Sequence, residues 1–329
     1  MGMSERVAIV GCGLIGQKRA SSLGEARLVV CCDSILERAE ALSLLHSGAE
    51  TSAHWGAAVT RPDVDIVVVA TTHDLLAPVA RAAAEAGKHV LVEKPAGRRP
   101  AELDPVIAAA EAAGVIVRVG FNHRYHRALR KARELVDSGA MGRLMFLRGR
   151  YGHGGRPGYE KEWRADPHIA GGGEVIDQGV HLIDLAHWFL GDFTEVKSFI
   201  GTFFWGIRVE DNGFLLLRTE SGQVAFLHAS WTEWKNTFSL EIYGERGKLE
   251  IIGLGGSYGT ERLAYYEMQP EMGPPPTTVW EYPMADDSWQ VEFNDFLTDT
   301  RAGRSSGSGL RDARAALSIV ERVYQENSS

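Results

Sequence analysis

Hydrophobic positions follow two rhythms along this chain. Over the first third, short apolar runs alternate with segments whose apolar residues recur every three or four positions. The runs are Arg6–Val10, Leu28–Cys32, Asp65–Ala70, His89–Val92 and Val115–Val119. Ile66-Val67-Val68-Val69 is typical, with no polar break, as expected of a strand buried on both faces of a parallel sheet. The segments between, starting at Gln17, Leu36–His46, Leu75–Ala86 and Glu102–Ala113, read as helices, and Gly87 and Gly114 stop two of them. Strict alternation of strand and helix predicts an α/β domain with a doubly wound parallel sheet over residues 1–121.

The rhythm changes after Gly120. A helix is expected over His126–Ser138 and a strand over Leu144–Tyr151, followed by a glycine- and charge-rich segment, Gly152–Gly173. A further helix runs to Leu190. Strand-like stretches then follow one another without helices between them: Val196–Trp205, Phe214–Thr219, Gln223–Trp234, Phe238–Tyr243, Lys248–Ile252 and Leu263–Met268. Such a run predicts an α+β second domain, 122–329, with a large, mostly antiparallel open sheet. Met272–Pro276 reads as a loop, and the helices Ser288–Arg301 and Leu310–Gln325, joined by the flexible Gly303–Gly309, close the chain. No internal repeat is evident.

Composition narrows the class. The 329 residues, 44% hydrophobic and 24% charged, suit a soluble globular protein of two domains. A net charge of -8 argues against nucleic acid or an anionic membrane as a partner. The three cysteines, Cys12, Cys31 and Cys32, form neither a disulfide framework nor a Cys-x-x-Cys metal pattern. The chain passes from Met1 directly to Glu5-Arg6 and a strand, without a signal-peptide pattern, and no apolar run could span a bilayer. A cytoplasmic location is expected.

Four features carry candidate chemistry. Gly11-Cys12-Gly13-Leu14-Ile15-Gly16 stands between a predicted strand and a predicted helix, where Gly11, Gly13 and Gly16 permit a tight turn and close approach of a pyrophosphate. Asp33 ends the second strand, where a carboxylate accepts hydrogen bonds from adenosine ribose hydroxyls and repels a 2′-phosphate; NAD is favoured over NADP, with Arg38 one turn on as the feature that opposes this. Lys94, in Glu93-Lys94-Pro95, lies at the carboxyl end of a parallel strand, where open α/β sheets bind ligands. Asp177 and His181, after Gly171-Gly172-Gly173, are four residues apart on a predicted helix and so share a face, as an acid–base pair requires. The same two residues could ligate zinc, but no cysteine or clear third histidine completes a site, and no metal is expected. Arg148, Arg150, Arg156, Lys161 and Arg164, interleaved with Tyr151, His153, Tyr159 and Trp163, read either as an anion pocket or as a solvated loop. Tyr151, His153 and Arg156 are candidate substrate contacts.

These motifs resemble the glucose-fructose oxidoreductase / inositol dehydrogenase / MocA-like family over nearly the whole chain. The resemblance rests on the glycine loop, Ala70-Thr71, Ala86 through Glu93-Lys94-Pro95, Gly120-Phe121-Asn122, Trp163-Arg164, and Gly172-Gly173 through Asp177, Gly179, His181 and Asp184. It implies an N-terminal Rossmann domain and a C-terminal domain whose sheet forms dimers or tetramers. It also implies Lys94, Asp177 and His181 as catalytic residues. Gly11, Gly13, Leu14, Ile15, Gly16, Asp33, Thr71, Glu93, Lys94, Asn122, Trp163 and Arg164 are its implied cofactor contacts. Implied substrates are sugars, cyclitols and their phosphorylated or nucleotide-linked derivatives, touched by Lys94, Asn122, Asp177 and His181. Where the family often carries Pro-Asn and a later histidine after Ala70-Thr71, this chain has Thr72, His73 and Leu76.

The expected activity is hydride transfer between a nicotinamide and a secondary hydroxyl or ketone of a sugar-like substrate. Two rival readings are a glycosidase-like enzyme that retains its NAD and a non-catalytic cofactor sensor; an intact Lys94, Asp177 and His181 disfavour the sensor. Phe199, Phe203, Phe204, Trp205, Phe226, Trp231 and Trp234 cannot all face one core from alternating strands. A homodimer or homotetramer formed through the sheet is therefore expected.

Overall fold

The computed structural model describes residues 4–46 and 48–327. Two compact units emerge, residues 1–121 with 289–314, and residues 122–288 with 315–329. The plain division into 1–121 and 122–329 therefore misplaces Trp289–Arg314. This segment returns to the first unit because Phe293, Phe296 and Leu297 are buried in the same core cluster as Val7, Ile9, Leu42, Ile66 and Leu91.

The first unit is built on six parallel strands: β1 (Arg6–Val10), β2 (Arg27–Cys32), β3 (Glu50–Ser52), β4 (Ile66–Val69), β5 (His89–Glu93) and β6 (Val117–Gly120). Their order across the sheet, β3-β2-β1-β4-β5-β6, is that of a Rossmann sheet, with the reversal of direction between β1 and β4. Helices α1 (Leu14–Ala20), α2 (Leu36–Leu45), α3 (Trp55–Val59), α4 (His73–Glu85) and α5 (Asp104–Ala113) connect the strands. Val7 to Val10 and Ile66 to Val69 are buried without interruption. The short β3 and α3 went unpredicted, since three residues of Glu-Thr-Ser have no strand signature.

A buried ionic group ties this unit together. Arg19 on α1 donates to Glu93 at 2.6 Å and to Glu292 at 2.6 Å, and the Trp289 ring lies 4.4 Å from its guanidinium carbon. One guanidinium balances one carboxylate, so the second is favoured in its protonated form. Burial pushes Glu292 up to about 7, against the pull of Arg19. An unfolded glutamate titrates near ~4.3, so between about pH 4.3 and about 7 the folded chain holds a proton that the unfolded chain has released. Stability should therefore fall as pH rises through that window. Glu292→Gln, neutral at every pH, should remove the decline, which amounts to roughly 3–4 kcal/mol at most. Denaturant midpoints of both proteins at the two ends of the window measure it; parallel pH profiles would contradict the assignment.

The second unit carries eight strands: β7 (Leu144–Gly152), β8 (Phe193–Gly201), β9 (Asn212–Thr219), β10 (Val224–Ser230), β11 (Thr237–Gly244), β12 (Gly247–Ile252), β13 (Glu261–Glu267) and β14 (Thr277–Tyr282). The order is β14-β13-β12-β11-β7-β10-β9-β8, antiparallel except where β10 runs parallel to β7. Helices α6 (Arg127–Asp137), α7 (Pro167–Ala170) and α8 (Val180–Leu190) belong to this unit. Helix α9 (Ser288–Ala302) enters the first unit at Trp289, and α10 (Leu310–Glu326) passes from the first unit to the second. Gly149 on β7 leaves room for Leu182 of α8, which a Cβ would meet at 3.1 Å. The opposite sheet face is open: Phe199 is 81%, Leu216 49% and Phe226 46% exposed. Two predicted strands are too long. β8 stops at Gly201, because the backbone N–H groups of Phe203, Phe204 and Trp205 turn to the Asp211 carboxylate. β10 stops at Ser230, and Trp231 is fully buried against Tyr159 and Val209. Among the described residues no helix is long and apolar enough to cross a membrane.

Candidate active site

The first unit places the glycine loop at the carboxyl end of β1. Gly11 adopts φ +95°, and a Cβ there would meet the Ala70 carbonyl oxygen at 2.3 Å; one on Gly16 would meet the Gly11 oxygen at 1.9 Å. These two glycines are required by the loop's own packing. Gly13 differs: nothing lies within 4 Å of its Cβ position, and its φ of -71° suits any residue. Open space beside the loop, just before α1, is what a dinucleotide pyrophosphate needs. Gly13→Ala should therefore fold with an unchanged melting temperature and bind NAD at least tenfold more weakly. A large loss of stability, or unaltered NAD affinity, would contradict this.

Asp33 follows β2. One carboxylate oxygen accepts the Cys12 N–H at 2.8 Å and the other the Ile35 N–H at 2.9 Å. The carboxylate thus anchors the loop while sitting where a ribose is held in this fold. Leu14 is exposed beside the loop and Ile15 half-buried. The Thr71 hydroxyl donates to the Thr72 carbonyl. Glu93 is engaged by Arg19, so within this unit it fixes the end of β5 next to Lys94. The Lys94–Pro95 peptide is cis.

The second unit brings together Asp177, His181, Tyr151, His153, Asn122 and Arg164. The helix expected for Asp177 and His181 is not uniform. Val175–Gly179 forms one turn of π-helix, and α8 begins only at Val180. The buried Glu210 holds that turn, accepting the N–H groups of Gly173 and Val175 at 3.0 Å each and the Tyr324 hydroxyl at 2.8 Å. Burial raises its pKa, against these hydrogen bonds. The glycine run is a packing requirement: a Cβ on Gly172 would meet the Tyr324 hydroxyl at 1.9 Å, and one on Gly173 the Glu210 oxygen at 2.0 Å.

Arg164 donates to Asp177 at 3.0 Å. Burial opposes the charge of Arg164, yet the Asp177 carboxylate keeps its pKa raised. The His181 ring, 4% exposed, stacks on His123 with centroids 3.9 Å apart and planes at 26°. Tyr151 stands edge-on to both rings, and burial holds its hydroxyl well above the ordinary range. The Tyr258 ring lies 5.5 Å from that of Tyr151, centroid to centroid, with the planes tilted at 43°. Burial lowers His153, although Asp177 opposes this. Asn122 is buried, donating to the Ser288 hydroxyl at 3.0 Å and placing its carbonyl oxygen 3.3 Å from His123 Nδ1. The arrangement offers a buried imidazole, a carboxylate oriented by a guanidinium and several hydroxyls, which suits binding a polyol and moving its proton.

Other expected residues lie elsewhere. The exposed Arg156 pairs with Glu162 at 2.5 Å, Arg148 with Glu241 at 2.9 Å, and Arg150 approaches Glu233 at 3.8 Å. With Arg164 on Asp177, four of the five basic residues of that run face carboxylates. Trp163 lies under the Arg164 guanidinium, 4.5 Å away. Asp184 is bound by both ends of Arg124, at 2.8 and 2.6 Å. Sequence reasoning missed His123, Glu174, Gln178, Glu210 and Tyr258; only His123 carried a signal, as the residue after Gly120-Phe121-Asn122. Among the described residues no group of three or more His, Cys, Asp or Glu could hold a metal ion.

A Rossmann sheet with its glycine loop and acidic strand end, followed by a unit bearing an acid–base cluster, defines an oxidoreductase of the dinucleotide-binding class. Two family models match, the NAD-binding Rossmann fold oxidoreductase family over residues 5–121 and the GFO/IDH/MocA C-terminal domain over residues 129–250. The chain belongs to the GFO/IDH/MocA oxidoreductase family. It is 32% identical over 226 residues to the levoglucosan dehydrogenase of Pseudarthrobacter phenanthrenivorans, an alignment covering 60% of this chain and 58% of that one. With the inositol 2-dehydrogenase of Salmonella typhimurium it shares 25% over 312 residues, covering 92% and 87%. A solved levoglucosan dehydrogenase complex with NADH and levoglucosan superposes with a TM-score of 0.88 at 23% identity, over 99% of this chain and 98% of that one.

Proposed function

We propose that this protein is an NAD-dependent dehydrogenase that oxidises a secondary hydroxyl of a sugar or cyclitol, with Lys94, Asp177 and His181 as its catalytic residues. The observation that carries the reading is the buried imidazole of His181 in a cluster lined by tyrosines and histidines, one π-turn from an Asp177 held by Arg164. His181 accepts the hydroxyl proton as the C–H bond breaks. Asp177 accepts a hydrogen bond from a neighbouring hydroxyl, its direction set by Arg164. Lys94 stabilises the developing alkoxide. Bound NAD supplies the hydride acceptor. Tyr151, His153 and Asn122 shape the pocket, and Gly11, Gly13, Leu14, Ile15, Gly16, Asp33 and Thr71 hold the dinucleotide. Trp163 flanks Arg164 at the same edge. Relatives named for levoglucosan, inositol and glucoside oxidation support the substrate class.

The Asp33 carboxylate faces the ribose position, so NAD is preferred over NADP. Calorimetric titration of both cofactors tests this, and tighter NADP binding would overturn it. Screening sugars, cyclitols and their glycosides for NADH formation tests the reaction. Net bond cleavage without NADH release would point instead to glycosidase-like chemistry with a retained cofactor. The open sheet face, with Phe199, Phe214, Leu216 and Phe226 on β8 to β10, supports a homodimer or homotetramer. Sedimentation showing a monomer at micromolar concentration would contradict it. The buried, unpaired thiols of Cys12, Cys31 and Cys32 suit a cytoplasmic protein.

A further inference from the structure

A file of aromatic rings leads outward from the candidate site within the second unit. His153, on which the charges of Asp177 and Arg164 act, stands edge-on to Tyr159 at 6.1 Å between centroids. Tyr159 meets Trp231 at 4.8 Å and Trp205 at 6.3 Å. Trp205 meets Phe204 at 5.1 Å, and Phe204 meets Trp234 at 4.7 Å with the planes at 81°. Exposure rises along the file, from 0% at Trp231 and 4% at Tyr159 to 60% at Phe204 and 62% at Trp234. Core packing accounts for the inner rings but not for the last two. The corner these two form is fixed in place. The Phe204 and Trp205 N–H groups donate to the Asp211 carboxylate, and the Trp205 indole N–H donates to the Trp231 carbonyl at 3.0 Å. A Cβ on Gly155 would meet the Trp205 ring at 2.7 Å, and one on Gly154 the Trp234 Cα at 3.2 Å; both glycines directly follow His153. Trp234 has a φ of +55°, in the left-handed region that favours glycine, so its backbone does not require a tryptophan either.

Two half-exposed rings offer roughly 200–300 Å² of apolar surface, far below the about 800 Å² per partner of a stable interface. Phe203 goes with the open sheet face instead: a Cβ on Gly201 would meet its ring at 3.0 Å, and Gly201 shares a strand face with Phe199. At the flank of the file, the exposed Arg156 lies over the Tyr159 ring at 5.8 Å and pairs with Glu162. Aromatic faces are negative and suit the C–H groups of a sugar ring, while a guanidinium and a carboxylate suit its hydroxyls. We propose that Phe204 and Trp234, with Trp205 behind them, form a second sugar subsite, which stacks a ring linked glycosidically to the one held beside His153. The substrate is then a glycoside or disaccharide. This deepens the reading above and rests on it for the occupant of the inner site.

The test is calorimetric titration of the full chain in the presence of NADH, with single rings set against two-ring counterparts: glucose against maltose and cellobiose, galactose against lactose, xylose against xylobiose, and myo-inositol against galactinol. At least one two-ring compound should bind about tenfold or more tightly than its single-ring counterpart. Trp234→Gly removes the outer ring and suits the left-handed backbone, so its melting temperature should equal or exceed the parent's while the affinity ratio falls towards one. Phe204→Ala should lower the same ratio severalfold, and it decides the question if the glycine variant does not fold. No advantage for any two-ring compound, or an advantage that survives in the double variant, would overturn the proposal. A double variant with an altered subunit count in sedimentation would also overturn it, by giving the corner to a second copy of the chain. If the ratios behave as expected but no sugar or glycoside reduces NAD, the dehydrogenase reading fails and the subsite stands. If single rings reduce NAD and two-ring compounds bind no better, the subsite fails and the reading stands.

Discussion

Replacing His181 by alanine should slow alcohol oxidation by roughly 10²-fold or more and abolish the acidic limb of its pH–rate profile. Oxidation needs a base beside the reacting hydroxyl, and a free histidine titrates near ~6.5, so the parent rate should rise with pH until His181 is proton-free. NAD affinity should stay within about twofold, because the proposed dinucleotide contacts, Gly11, Gly13, Gly16 and Asp33, all belong to the first unit. The side chain is buried against His123, so a melting curve must accompany the kinetics, and His181→Asn, closer in volume, serves as the packing control. Lys94→Ala should also slow turnover and raise KM, since in the proposed reaction the lysine stabilises the developing alkoxide. Near-normal activity of His181→Ala with the parental pH profile would make Lys94 the leading candidate base.

Gly173→Ala should be the most damaging of the small substitutions. Its Cβ would lie 2.0 Å from the Glu210 carbonyl oxygen and 2.8 Å from the Glu210 nitrogen, both backbone atoms that cannot swing aside. Relief requires the Gly173 and Val175 N–H groups to leave the Glu210 carboxylate, exposing a buried acceptor and releasing the π-turn that carries Asp177. Overpacking and lost hydrogen bonds together should cost about 3 kcal/mol or more, read as a fall in the denaturant midpoint, with oxidation lost even where the variant stays folded. Gly206→Ala, with nothing within 4 Å of its Cβ position, is the matched control and should change stability by less than about 0.5 kcal/mol. Equal stabilities of the two variants would contradict this account of the glycine run.

What could be read from the sequence was what short-range pattern encodes. The uninterrupted burial of Ile66-Val67-Val68-Val69 and the glycine loop ahead of α1 placed the Rossmann sheet. Asp177 and His181 were recognisable as a pair, but their spacing suggested a regular helix. The π-turn depends on Glu210, whose carboxylate reaches back to Gly173 and Val175, and no local pattern announces such a partner. Glu93 stood inside a motif that looked wholly like site chemistry, whereas its partner Arg19 lies 74 residues earlier. The basic run around Arg156 left an anion pocket and a solvated loop both open, because Glu233 and Glu241, which face Arg150 and Arg148, come from later segments, and only Glu162, which faces Arg156, lies within the run. His123 resembled any polar residue following a motif; only the fold stacks it on His181. Trp289–Arg314 could not be assigned to the first unit from a helical pattern alone, since the pattern says which face is apolar and not which core receives it.

The most direct test of the central claim is a coupled product measurement: purified protein, NAD and a panel of sugars, cyclitols and glycosides, with NADH followed by absorbance and the carbohydrate product identified by mass spectrometry. The account predicts at least one substrate giving NADH and a product two hydrogens lighter in equal amounts, with both lost together in His181→Ala and Lys94→Ala. A protein that binds NAD but reduces it with none of these alcohols, or forms NADH equally well in both variants, would contradict it.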